Sequence, residues 1–186
     1  MGEQSAHGHQ NVQIDGDVNA PVWINVGAPP MPERVAVGVV KLQLRVPPRL
    51  EAFTGRGDEL ETLERTIASE GRALVTQAIT GLGGVGKTQL AARYVHTHAA
   101  EYDIVASIRA EDGGIADLAE LAGRLGEPVE ERSPAERREL ALERLARGEE
   151  HWLLVLDNVD SPAGLRDCLP QAGNGRVLVT SRNRGA

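Results

Sequence analysis

The sequence predicts an α/β fold built on a parallel sheet, and three observations carry that expectation. Residues 72–182 alternate apolar, strand-like runs with helical stretches, the pattern of parallel strands joined by crossover helices. The strand candidates are near-continuous aliphatic runs, as strands buried on both faces must be. A glycine-rich turn, Gly81-Leu82-Gly83-Gly84-Val85-Gly86-Lys87-Thr88, joins one such strand to a helix. Its glycines allow positive φ and a close backbone approach to an anion.

The elements follow in order. Residues 1–30 form an appendage with a polar, disordered start. Val12 to Ile14 and Val22 to Val26 flank Asp15-Gly16, which suits a short β-hairpin turn. Trp23 makes this segment either a docking strand or a hairpin packed on its own domain. Asp15, Asp17 and Asn19 do not complete a calcium loop, because Ala20 and Val26 stand where glycine and a bidentate glutamate are needed. Residues 31–50 are linker and strand: prolines 29, 30 and 32 stiffen the chain, and Val35 to Val46 reads as one long strand or a strand pair, stopped by Pro47-Pro48.

Residues 51–186 form the body. A helix begins near Asp58, buries Leu60, Leu63, Ile67 and Ala68, and ends at Gly71. Ala73 to Thr80 is a buried strand, and Gln89 to Val95 a helix with Leu90, Ala91, Tyr94 and Val95 inward. Asp103 to Ile108 is a second strand, followed by a helix from Ile115 to Leu125. Ser133-Pro134-Ala135-Glu136 combines an N-cap, a first-turn proline and a capping-box glutamate, starting a helix that runs to Arg147. Arg137, Arg138 and Arg144 alternate there with Glu136, Glu139 and Glu143, a solvated face rather than a phosphate patch. Leu153 to Leu156 and Gly175 to Ser181 are two more buried strands, ending at Asp157 and Arg182.

Composition narrows the function classes. A net charge of −7 argues against direct nucleic-acid binding through an electrostatic surface. No stretch approaches the roughly 20 apolar residues that span a bilayer, so no membrane partner is expected. Residues 1–13 lack the apolar core of a signal peptide. The lone Cys168 has no thiol partner and reads as a small half-buried residue in a reducing, cytoplasmic setting.

The chemistry concentrates at strand ends. The glycine turn fits G-x-x-x-x-G-K-[ST], the Walker A loop. Its N–H groups would converge on phosphate oxygens at the positive end of the following helix. Lys87 would reach the β- and γ-phosphates, and the Thr88 hydroxyl would ligate Mg²⁺. Asp157 ends an aliphatic strand where a Walker B acid holds the metal's water shell. Arg182, at the end of another strand on the same edge, is placed to contact the γ-phosphate.

Taken together, Phe53-Thr54-Gly55-Arg56, then GLGGVGKTQLA, LLVLDNVD and GRVLVTSR, resemble the NB-ARC class of STAND signalling ATPases over residues 51–182. The resemblance implies a P-loop NTPase fold of the additional-strand type, with the Arg182 strand between the Walker A and Walker B strands. It implies a nucleotide site made of Phe53, Gly55, Arg56, Gly81, Gly83, Gly84, Val85, Gly86, Lys87, Thr88 and Gln89, in which Phe53 to Arg56 lie against adenine and ribose. Lys87, Asp157 and Arg182 would be the catalytic set, Thr88 and Asp157 the metal ligands, and Mg²⁺ with ADP or ATP the cofactors. Such a protein works as a signal-transduction switch, closed with ADP and able to assemble with ATP.

Two departures from the family pattern shape the expected activity. Asn158 stands where a second acid is common; an amide orients a water but accepts no proton, leaving at most a slow Mg²⁺-dependent ATPase. Asp160 is a possible substitute. By resemblance, a fifth strand and two further subdomains would follow Arg182, so the domain reads as C-terminally truncated. Its Walker A strand would then keep an open edge for self-association or a protein partner, unless Val35 to Val46 covers it. The alternative to a nucleotide switch is an interaction protein whose NTPase fold no longer binds nucleotide usefully and which docks through residues 11–27.

Overall fold

A computed structural model describes residues 42–48, 57–70, 72–75, 85–159 and 161–181. Strands β1 (Leu42–Leu44), β2 (Arg72–Val75), β3 (Ile104–Arg109), β4 (Trp152–Val159) and β5 (Gly175–Ser181) form one sheet in the order β1-β3-β4-β5-β2. Every neighbouring pair runs parallel. The helices are α1 (Gly57–Glu70), α2 (Val85–His98), α3 (Ile115–Arg124), α4 (Pro134–Arg147) and the short α5 (Pro162–Asp167). The described residues thus form an α/β fold on a parallel sheet, with β5 inserted between β2 and β4 as expected.

Strand alternation sorts the core into two layers. On β4, Leu154 and Leu156 face one way and pack with Leu118, Leu121 and Leu145 of α3 and α4. Leu153 and Val155 face the other way, against Leu60, Leu63 and Ile67 of α1 and Leu90, Tyr94 and Val95 of α2. A period of two in a strand and of 3.6 in the helices produces these faces from one aliphatic alphabet. The predicted capping box is present: the Glu136 N–H donates to the Ser133 hydroxyl at 3.3 Å, and the Ser133 N–H donates to the Glu136 carboxylate at 2.8 Å. Three of the four arginines of α4 pair with carboxylates, while Arg137 donates to the Arg132 carbonyl at 3.0 Å. Arg144 pairs with Glu150 and Glu127, Arg147 with Glu127, and Arg138 with Glu139.

The strand placed before the body behaves differently from expectation. Leu42–Leu44 does not cover the outer side of β2. It pairs with β3 at the opposite edge, with Leu42 beside Ile104 and Leu44 beside Ala106. The reason is local. Leu44 is buried in the α3/α4 layer, and the next residue, Arg45, pairs with Asp117 and Glu120 of α3 at 3.2 and 2.7 Å. Cys168 is fully buried rather than half-buried, and burial with the nearby Asp167 charge pushes its thiol up to about 11. Among the described residues no helix is long and apolar enough to cross a membrane. The proposed hairpin around Asp15-Gly16, Trp23, the proline linker and residues 35–41 lie outside the described residues.

Between β3 and α3 the chain makes a tight turn, Glu111–Gly114, in which Asp112, Gly113 and Gly114 all take positive φ. A Cβ on Gly114 would lie 2.7 Å from Ile108 Cγ2 and 3.0 Å from Cys168 Sγ, at φ +65°. Gly114→Ala therefore combines backbone strain with overpacking and is expected to cost about 1–3 kcal/mol. Urea unfolding should show the midpoint falling with an unchanged slope.

Candidate functional site

The C-terminal ends of β4 and β5 and the start of α2 meet at one point. Helix α2 begins at Val85, so Gly86, Lys87 and Thr88 occupy its first turn, and Gln89 follows. That turn contains no acidic residue, while His96 and His98 sit in the last turn. The helix dipole, with no acid in the first turn to oppose it, therefore favours an anion at the N-terminus. Gly86, Lys87, Thr88 and Gln89 are all half-buried.

Asp157 is the centre of the cluster. The Thr88 hydroxyl lies 3.4 Å from Asp157 Oδ1, across 69 residues of sequence. The Thr180 hydroxyl, from buried β5, donates a very short hydrogen bond to the same oxygen. Thr180 Oγ1 also accepts from the Asn158 N–H at 3.1 Å. One hydroxyl thus fixes both the acid and the backbone after it.

A bulge makes this geometry possible. The β4–β5 register runs from Leu156 opposite Val179 to Val159 opposite Ser181, so β4 spends one residue more than its partner. Asn158 absorbs the excess at φ 64°, a conformation asparagine tolerates better than most residues. Bulges beside sites re-aim side chains. Here the Asn158 amide leaves the Asp157 side and donates to Glu111 Oε1 at 2.5 Å.

A hydroxyl and a carboxylate side by side at an anion-attracting helix start suit a hard, oxygen-seeking cation. Among the described residues no group of three or more His, Cys, Asp or Glu side chains forms a metal cage. Mg²⁺ does not need one, because it commonly takes one or two protein oxygens and fills its remaining positions with phosphate and water. The Thr88–Asp157 pair fits that ion.

Of the residues singled out from sequence, the structure brings together Lys87, Thr88, Gln89, Gly86 and Asp157. Gly81, Gly83 and Gly84 of the loop, Phe53, Gly55, Arg56, Asp160 and Arg182 lie outside the described residues, and of Val85 the backbone is described as the first residue of α2. Ser181, immediately before Arg182, ends β5. Two residues at the site were not singled out, Thr180 and Glu111. Thr180 had a faint signal, a polar residue closing an aliphatic strand; Glu111 had none.

Comparison with known proteins adds a family match. The family described as NB-ARC domain matches residues 57–186. The chain is 29% identical over 160 residues to the protein named Regulatory protein AfsR from Streptomyces griseus, covering 75% of this chain and 15% of that protein. It therefore spans only a small part of that relative's length.

Proposed function

The chain belongs to the NB-ARC family of nucleotide-binding signalling domains, and from that premise we propose that it binds ADP or ATP with Mg²⁺ as the switch module of a regulatory protein and hydrolyses ATP slowly or not at all. The observation that carries the reading is the Thr88–Asp157 contact at the start of α2. It joins the end of the Walker A motif to the acid predicted as Walker B, two segments with no sequence proximity. Lys87, one residue before Thr88, brings a fixed positive charge to the β- and γ-phosphates. Bound Mg²⁺ would neutralise phosphate charge, with Thr88 and Asp157 as its protein oxygens. Thr180 keeps Asp157 aimed, since its hydroxyl is itself held between Asp157 and the Asn158 N–H.

A slow rate is expected because the position directly after the metal acid carries no base, whatever a carboxylate from another strand contributes. The Asn158 amide accepts no proton, so the residue beside the metal acid is not a general base. We expect turnover below the order of 1 s⁻¹. A switch requires ADP and ATP each to favour its own conformation by several kcal/mol, and slow turnover lengthens the ATP-bound phase. The regulatory role named for the relative supports this reading. A cytoplasmic setting, where ATP is plentiful and a lone thiol stays reduced, belongs to the same proposal. So does a contact with a second copy or another protein at the outer side of β2, against which no strand pairs among the described residues.

Thermal or chemical unfolding with Mg²⁺ and each nucleotide tests the proposal. At one hundred times Kd, binding adds about 2.7 kcal/mol to stability. In Lys87→Ala, a hundredfold loss of affinity would leave only about 0.4 kcal/mol at the same concentration. A folded wild-type protein that shows no shift with either nucleotide rejects the proposal and favours an interaction module.

A further inference from the structure

We propose that Glu111 is the carboxylate that activates the attacking water at this site, with Asn158 as the residue that positions it, an inference that rests on reading the site as one for ATP. Asn158 lacks the base expected beside Asp157, yet its amide is not idle. It holds Glu111 Oε1 at 2.5 Å, a contact between residues 47 apart in sequence. Removing the acid from one strand and presenting another from the neighbouring strand leaves the edge with a carboxylate in place.

The backbone places Glu111 there independently of that contact. Arg109 is in register with Asp157, and the Ala110 N–H donates to the Asp157 carbonyl at 2.8 Å. Glu111 is thus the first residue past the last backbone link between β3 and the metal acid. The turn that carries it is held by Gly113 and Gly114, whose α-carbons sit against Asp167, Arg138, Ile108 and Cys168 with no room for a Cβ on Gly114. Its carboxylate is exposed at the rim, where a polar contact adds little stability. The glycine turn, the bulge at Asn158 and one short hydrogen bond together hold a charged oxygen at the same sheet edge as Asp157, against the residue that follows it, which is the preorganisation a reacting water needs.

The step balances without another reactant. The water oxygen bonds to the γ-phosphorus while the bond from that phosphorus to the β–γ bridging oxygen breaks. The water proton passes to Glu111 and then to solvent, and ADP and inorganic phosphate leave. Asn158 touches neither; it acts through Glu111.

Glu111→Gln separates the base from the hydrogen bond, because the amide oxygen still accepts from Asn158. Dissociation constants are measured on the full chain with Mg²⁺ for ADP and for a non-hydrolysable ATP analogue, beside single-turnover hydrolysis of ATP. A carboxylate facing the γ-phosphate repels it, so its loss should shift affinity toward the ATP analogue relative to ADP by about three- to tenfold. Any hydrolysis measurable in the wild type should fall by about a hundredfold or more. An unchanged affinity ratio overturns the assignment whatever the rate does, and so does an unchanged rate. If the wild type hydrolyses too slowly to follow, the affinity ratio alone decides. Wild-type protein that binds neither nucleotide overturns the ATP-site reading itself, and this inference with it. Asn158→Gly deletes the amide while keeping the left-handed backbone comfortable. It should lower the rate constant about tenfold or more at unchanged KM. A drop in melting temperature with the rate constant intact would show that Asn158 is structural and not a positioning residue.

Discussion

Trp152→Ala is expected to cost about 3–5 kcal/mol of folding stability, the largest loss from any single truncation considered for this fold. The ring is 1% exposed and starts β4. Its faces fill the space over Gly175, where an added Cβ would come within 1.9 Å of Trp152 Cδ2. Its Nε1 donates to the Leu145 carbonyl at 3.0 Å. That carbonyl belongs to the last turn of α4, whose final four C=O groups have no partner within the helix. The indole therefore fills the core and caps a helix at once, and alanine leaves a cavity with an unpaired buried carbonyl. Equilibrium urea unfolding checks the figure. Trp152→Phe separates the parts, since it keeps most of the packing and should lose only about 1 kcal/mol more than the missing ring volume accounts for. A Trp152→Ala midpoint within error of wild type would contradict the packing described for β4.

Asp117→Ala should be the second most costly change, at about 2–4 kcal/mol. Asp117 is 1% exposed and accepts from the Arg109 N–H at 2.8 Å, from its Nε at 3.0 Å and from a terminal nitrogen at 2.8 Å. Arg45 pairs with the same carboxylate at 3.2 Å, so one acid ties β3 and the end of β1 to α3. A fully buried pair broken by removing one partner loses about 3–5 kcal/mol. The arginine side chains keep 60% and 46% exposure and are not stranded, which lowers the cost.

The same residue gives a pH dependence with a definite sign. Burial alone would raise the Asp117 carboxyl, but hydrogen bonds from the Arg109 side chain and backbone, with the charges of Arg109 and Arg45, outweigh it and hold it below its ordinary value. A carboxylate that is more acidic folded than unfolded stabilises the fold at every pH above its unfolded value, about 3.9. That contribution is lost as pH falls through the lowered folded value. The stability gap between wild type and Asp117→Ala should therefore be full at neutral pH and narrow in acid below about pH 4. A gap that stays constant down to pH 2 would count against the charge contribution.

Much of this architecture was readable before any coordinates. Aliphatic runs located β3 and β5 within a residue and β4 within three at its C-terminal end, and Ser133, Pro134 and Glu136 marked the start of α4 because capping chemistry is local. Thr88 and Asp157 were expected at the same edge, and they meet there, because strand and helix order leave a parallel sheet one end for ligands. What escaped were features that exist only between distant residues. The link from Thr180 to Asp157 spans 23 residues and that from Asn158 to Glu111 spans 47, and no periodicity records either. A bulge has no signature in one sequence beyond an asparagine able to take positive φ. The edge chosen by Leu42–Leu44 was decided by Arg45 reaching Asp117 and Glu120, which hydrophobic patterning does not register.

The sheet order carries a consequence for how the domain listens. Strand β1 and strand β2 occupy opposite edges, with β3, β4 and β5 between them, a separation of roughly 19 Å at the usual strand spacing. Among the described residues the chain enters the sheet at β1, while the strand that precedes α2 lies at the far margin. A pull or a docking event transmitted through Leu42–Leu44 reaches the nucleotide by shifting intervening strands rather than by touch. β3 is the first of those strands, and it leads into Glu111, so strain on the upstream segment would arrive at the Glu111–Asn158 contact before it arrives at the start of α2.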